Sequence, residues 1–189
     1  MMIHQLQATY QAEQDRILIR LNTRTGEELR LWLTRRMVKN LFPHILQATA
    51  ELDGAAQMPF VSHDGPHQQD LTKFRKQESL QQADFKTPFS TEAPVLPLGS
   101  TPLLVTTVHI TPSNEGSLRI GFVEQTPEVS ESRQFEVTLA PPLLHGFMHL
   151  LESALKHADW GITLPEDEKP KETKPLDAFA SAEPPHYLN

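Results

Sequence analysis

Residues 15–34 read DRILIRLNTRTGEELRLWLT, and this stretch decides the fold. Apolar and polar residues alternate on both sides of a short polar break, which is the period of a strand with one buried face. Gly26 lies in the break and accepts the positive φ that a tight turn commonly needs. The stretch therefore predicts an antiparallel hairpin with one apolar face. Its apolar positions are Ile17, Ile19, Leu21, Leu29, Leu31 and Leu33.

The hairpin is the centre of a larger unit over residues 1–52. Residues 3–11 alternate in the same way and predict a preceding strand. Thr34 stands at the position of a helix N-cap, and apolar residues then recur at three- and four-residue spacing up to Thr49. Pro43 predicts either a kink or the start of a second short helix, and the kink is favoured.

A second unit of the same order is predicted over residues 101–160. Its strands are LLVTTVHI from Leu103, SLRIGFV from Ser117 and QFEVTLA from Gln134, and its helix begins at Pro141 or Pro142. The prediction is an α+β protein with two βββα units, in which one amphipathic helix covers each antiparallel sheet. Internal duplication and chance recurrence of a common order both explain the repeat.

Two segments have the composition of flexible chain. Residues 53–100 are rich in Gln, Pro, Ser, His and Asp with few aliphatic residues, which predicts a flexible linker or an interaction segment. Residues 161–189 contain the charged, proline-broken run EDEKPKETKP, which predicts a disordered acidic tail.

Composition and charge limit the class of protein. The 189 residues contain no cysteine, which excludes disulfides and thiolate sites and is compatible with a reducing compartment. The net charge is −7, although residues 1–52 carry seven basic against five acidic groups, or +2. An acidic chain is a poor non-specific binder of nucleic acid. Because no secretion signal or membrane-spanning run is seen, we expect a cytoplasmic location and no membrane partner.

A histidine pair gives the sharpest metal hypothesis. His145 and His149 are spaced i and i+4 on the predicted second helix, and Glu152 continues the same face, so three metal ligands could converge. The competing interpretation is a solvated helix face, because the helical spacing puts these residues opposite the apolar stripe. A metal-dependent enzyme is thus the third functional hypothesis, and no cofactor is expected.

No catalytic motif supports an enzyme. The serines lack the flanking glycines of a nucleophile elbow, and the eight glycines form no phosphate-binding loop. The sequence therefore favours a protein without catalytic activity.

The other candidate surface is the outer face of the first sheet with the start of its helix. Basic residues beside an aromatic on a sheet are typical of a platform for single-stranded nucleic acid, and in topology alone this order is similar to the Whirly and PUR-repeat proteins. Arginine and aromatics are also enriched at protein interfaces, and the acidic net charge favours that second interpretation. The residues are Arg20, Arg30, Trp32, Arg35, Arg36 and Lys39.

The function expected from the sequence is binding. We expect a small adaptor, accessory or chaperone-like subunit that contacts a protein partner or another copy of itself. Single-stranded nucleic-acid binding on the basic face of the first unit is the alternative.

Overall fold

A computed structural model describes residues 3–55, 87–90, 94–113, 116–125 and 132–164, together with Phe74, Gln77, Glu78 and Gln81. In these residues it contains seven strands in two sheets and two long helices, so the predicted α+β class is confirmed. The acidic tail beyond Leu164 and most of the linker lie outside the described residues.

The first sheet has the strand order β1-β2-β3-β4, where β1 is Ile3–Gln11, β2 is Arg16–Thr23, β3 is Glu28–Thr34 and β4 is Leu103–Leu104. The first three strands form an antiparallel meander, and β4 runs parallel to β3. Gly26 has φ +81° in the turn between β2 and β3, as its place in the sequence predicts. All six apolar residues of the predicted hairpin are buried.

The second sheet is an antiparallel meander of three strands, β5 (Thr107–Pro112), β6 (Leu118–Glu124) and β7 (Arg133–Leu139). The prediction of one strand over LLVTTVHI is wrong. Leu103 and Leu104 pair with β3, whereas Thr107 and its successors pair with β6. The segment thus passes from one sheet to the other, and an apolar run alone does not reveal which neighbour each half will pair with.

The helices are α1 (Arg35–Ala55) and α2 (Pro141–Ala158). The amide of Met37 donates to the Thr34 hydroxyl oxygen at 3.2 Å, so Thr34 is the N-cap of α1. The helix continues through Pro43, which rules out a second helix beginning there. Pro43 and Lys39 are both exposed, so the carbonyl that Pro43 leaves without an amide donor lies on the solvent side.

One apolar core joins the two units. Buried residues of β2, β3, β6, β7 and both helices form a single cluster. Helix α2 packs on β1 as well as on β7, and α1 packs on β5 as well as on β3, so each helix contacts both sheets. Among the described residues, no helix has the length and apolar character needed to cross a membrane.

Candidate functional site

The outer face of the first sheet is a grid of side chains set by strand register. Alternation turns Ile17, Ile19 and Leu21 into the core, so the neighbours of these residues on β2 point outward. The β1–β2 and β2–β3 pairings then align outward residues in rows across the sheet. The rows are Gln5–Asn22–Glu28, Gln7–Arg20–Arg30 and Thr9–Leu18–Trp32, and Leu104 of β4 extends the third.

Glu28 is the anionic centre of this grid. Its side chain is 0% exposed, although it lies on the outer face, and it accepts from Arg20 Nε at 2.6 Å and from Arg30 Nε at 2.8 Å. Burial by itself would raise the pKa of Glu28, but the hydrogen bonds and charges of Arg20 and Arg30 outweigh it, and the pKa is lowered. The carboxylate also allows Arg20 and Arg30, which are directly opposite in the register, to lie side by side.

A short piece of the predicted linker lies across the grid. The Gln5 amide donates through Nε2 to the Pro88 carbonyl at 3.2 Å and accepts through Oε1 from the Ser90 amide at 2.9 Å. Asn22 Nδ2 donates to the Ser90 carbonyl at 3.1 Å. The Phe89 ring stacks on Arg20, with the guanidinium carbon 4.3 Å from the ring centroid. Residues 87–90, which we call the strap, are thus held through their main chain and one aromatic ring.

Asn22 has one more polar atom at this site. Its Oδ1 is buried and accepts no hydrogen bond from the described residues. A buried acceptor without a donor is costly, and such atoms are rare in folded proteins. The site therefore contains one buried acceptor whose hydrogen-bonding capacity is unused among the described residues.

An apolar row borders the strap. Leu18 pairs with Trp32, and Trp32 pairs with Leu104, so the row runs across three strands beside the row that holds Arg20. All three side chains are half-buried. One surface therefore carries residues that bind main-chain atoms in its first row and an aromatic and aliphatic strip in its third, with the arginine row between them.

The chain that follows the strap is also fixed to the body. Val95 forms a parallel bridge with Glu27, and its carbonyl accepts from the Glu28 amide at 2.8 Å. Arg133, paired with Glu124, donates to the Leu98 and Thr101 carbonyls at 3.0 and 3.1 Å. Within the predicted linker, residues 87–90 and 94–100 thus contact the folded units.

The remaining basic residues lie apart from the strap. Arg35 Nη2 donates to the Trp160 carbonyl at 3.1 Å, which assigns Arg35 to a packing contact. Arg36 and Lys39 are exposed on the first turns of α1. The structure therefore brings Arg20 and Arg30 together around Glu28, places Trp32 in the next row, and leaves Arg35, Arg36 and Lys39 on the helix.

The histidine face of α2 is not solvated, and that interpretation is wrong. His145 and Glu152 are 3% and 4% exposed, and His145 Nε2 lies 3.2 Å from Asp53 Oδ2 on α1. His149 is half-buried. No group of three or more histidine and carboxylate side chains able to hold a metal ion occurs among the described residues. His145 joins the helices because α2 is packed on α1 as well as on strands, so its polar side also meets protein.

Sequence reasoning missed several residues of the outer face. Gln5, Asn22 and Glu28 follow from alternation as outward-facing residues, and the opposed arginines give a reason to look for an anion between them. Phe89 carries no such signal, because its contact with Arg20 joins a proline-rich linker to a strand far away in the chain.

No protein-family model matches the chain, and neither curated proteins nor solved structures show a significant match to it. The geometry of the outer face is therefore the basis for a functional hypothesis.

Proposed function

We propose that the protein is a non-enzymatic adaptor or accessory subunit that binds a segment of a partner protein on the outer face of its first sheet. One observation supports this most directly: the face already holds three residues of peptide through Gln5, Asn22 and Arg20. Side-chain amides that bind both a carbonyl and an amide of the same segment are complementary to a peptide main chain.

The chemistry of the face favours protein over nucleic acid. A phosphate backbone offers acceptors, whereas the amides of this face themselves supply acceptors, Gln5 Oε1 and Asn22 Oδ1. Glu28 also neutralises part of the positive charge of Arg20 and Arg30, which phosphate binding would need. Arg35, Arg36 and Lys39 of the predicted set are exposed, but they lie on α1, where Arg35 donates to the Trp160 carbonyl.

The test is capture of a partner by the immobilised full-length protein, followed by crosslinking to locate the contact. We expect one stoichiometric protein that crosslinks to the outer face of the first sheet and is lost with Trp32→Ala. The control is Thr138→Ala, an exposed position on the second sheet, which should retain the partner. A partner retained by Trp32→Ala and crosslinked elsewhere would overturn the proposal.

Mobility shifts with single-stranded DNA and RNA at low salt test the alternative hypothesis of nucleic-acid binding. We expect no shift. A salt-sensitive shift that is lost in a Trp32→Ala, Arg36→Ala, Lys39→Ala variant would replace the proposed function with nucleic-acid binding.

A further inference from the structure

We infer that the strap, residues 87–90, is an internal competitor that occupies the partner site, and that the partner supplies a peptide with an aromatic residue preceded by proline. This inference rests on the proposed function and names both its ligand class and its regulation.

The recognition of Phe89 has the form of a peptide-binding site. One amide, that of Gln5, contacts the carbonyl before Phe89 and the amide after it. In an extended residue those two groups point to the same side, so Gln5 reads the backbone while the ring is free to take a separate contact. Arg20 supplies that contact as a cation under the ring.

Arg20 is preorganised for an aromatic ligand. Its Nε is held by Glu28 at 2.6 Å and its Nη1 donates to Gln7 at 3.3 Å, so the guanidinium plane is fixed by two neighbours. A fixed planar cation loses little freedom when a ring stacks on it. Pro88, which precedes Phe89, also limits the conformational freedom of the peptide, because its ring fixes φ.

A partner peptide has contacts available that the strap does not use. Asn22 Oδ1 accepts no hydrogen bond from the described residues. The apolar row Leu18–Trp32–Leu104 lies beside the Arg20 row and is half-buried. A longer peptide that donates to Asn22 and lays an apolar side chain on Trp32 would therefore bind better than the strap.

Competition by the strap weakens apparent binding of any external peptide. A short tether gives an effective concentration of about millimolar, so the strap is a strong competitor even if its intrinsic affinity is low. The apparent affinity equals the intrinsic affinity multiplied by the fraction of molecules in which the face is open. Weakening the strap should therefore strengthen binding in trans.

The test uses a fluorescein-labelled peptide of residues 84–93, DFKTPFSTEA, and fluorescence anisotropy with the full-length protein. We expect Phe89→Ala in the protein to bind this peptide about tenfold more tightly than the wild type, since a strap closed in nine molecules of ten reduces affinity by that factor. A Gln5→Ala, Phe89→Ala protein should lose the gain, and a peptide in which the residue corresponding to Phe89 is alanine should not bind.

The matched control is Phe74→Ala, which removes another linker phenylalanine whose side chain is 66% exposed. It should bind the peptide as the wild type does. Circular dichroism and thermal unfolding establish that each variant is folded, and Phe89→Leu provides a milder change that removes the ring but keeps apolar bulk.

The inference is overturned if folded Phe89→Ala and Phe89→Leu proteins bind the peptide no better than the wild type, or if the gain persists with Gln5→Ala. That failure differs from failure of the proposed function. If a partner is captured in a Trp32-dependent way but the peptide does not bind, the strap is not a competitor. The proposal that the outer face binds a partner protein is then still supported.

Discussion

Glu28 determines the electrostatics of the outer face. A carboxylate that is 0% exposed needs the two arginines beside it, and they need it in return because they are directly opposite on neighbouring strands. Arg20 and Arg30 keep 18% and 29% exposure, so water still solvates part of each charge and the cost of breaking the cluster is moderated.

Glu28→Gln should lower the free energy of unfolding at neutral pH by about 2 kcal/mol, below the range for fully buried pairs because both arginines are partly solvated. The folded-state pKa of Glu28 is depressed, so its contribution is present above its ordinary pKa of 4.5 and is lost as the pH falls through the lower folded value. In urea unfolding measured from pH 7 to pH 3, the free energy of unfolding should therefore fall less steeply in the variant than in the wild type.

The matched control is Glu136→Gln, which breaks the exposed pair with Arg119 on the second sheet. Its effect should stay within about 0.5 kcal/mol at neutral pH. Equal destabilisation by the two substitutions would contradict the role assigned to Glu28.

Thr34 is the second residue whose role follows from a single contact. Its hydroxyl accepts from the Met37 amide, one of the first amides of α1, which lack partners within the helix. Thr34→Ala should lower the free energy of unfolding by about 1 kcal/mol, measured by urea denaturation. Thr34→Ser keeps the oxygen and should recover most of the loss, and a Thr34→Ser protein as unstable as Thr34→Ala would refute the cap.

Local patterns predicted the strands and helices because the signals are local. Alternation along residues 15–34 fixes which side chains are buried, and the Thr34 cap marks where α1 begins. The split of Leu103–Leu104 from β5 was missed because it depends on pairing with β3, which lies distant in sequence. The burial of His145 was missed for the same reason, since its partner Asp53 lies on the other helix, α1, in a part of the chain that the sequence assigned to the linker. Duplication of the βββα order stays a hypothesis.

At the scale of elements, the pair His145–Asp53 is a buried polar contact between α1 and α2. Both side chains are nearly inaccessible, at 3% and 5% exposure, and they lie within hydrogen-bond distance. Buried polar groups in an apolar interface favour one alignment of the two helices, because other alignments leave them without partners.

His145→Ala and Asp53→Ala should each lower the free energy of unfolding by about 1–3 kcal/mol, because each leaves a buried polar partner behind. The double variant should lose less than the sum, with a coupling of about 1 kcal/mol in a double-mutant cycle. His157→Ala, at an exposed position in the last turn of α2, is the control and should change stability by less than about 0.5 kcal/mol. Strict additivity of His145→Ala and Asp53→Ala would show that the pair is not coupled.

At the scale of the whole molecule, a few contacts join distant parts of the chain. Arg133 of β7 binds carbonyls of the segment before β4, and Val95 extends the edge of β3. These contacts place the strap near the first sheet whether or not its own contacts form. A tethered competitor of this kind needs such an anchor, because its effective concentration depends on the length of chain between anchor and site.

Just after the end of α2, a hydrogen bond joins Trp160 to Asp15, two described residues that are 145 positions apart in the sequence. Trp160 Nε1 donates to Asp15 Oδ1 at 2.6 Å, Tyr10 donates to the same oxygen at 3.0 Å, and the two rings meet edge to face. The hydrogen bond from Trp160, followed by that from Tyr10, lowers the pKa of Asp15.

Trp160→Phe keeps an aromatic ring but removes the donor, so the pKa of Asp15, measured by NMR titration of its carboxyl carbon, should rise toward its ordinary value of 3.8. Because a depressed folded pKa stabilises the protein above the unfolded value, the variant should also lose less stability than the wild type as the pH falls through that range. Trp32→Phe removes the other tryptophan and should leave the Asp15 pKa as it is in the wild type. If both substitutions move the Asp15 pKa equally, or if neither moves it, the hydrogen bond from Trp160 to Asp15 is not the cause of the lowered pKa.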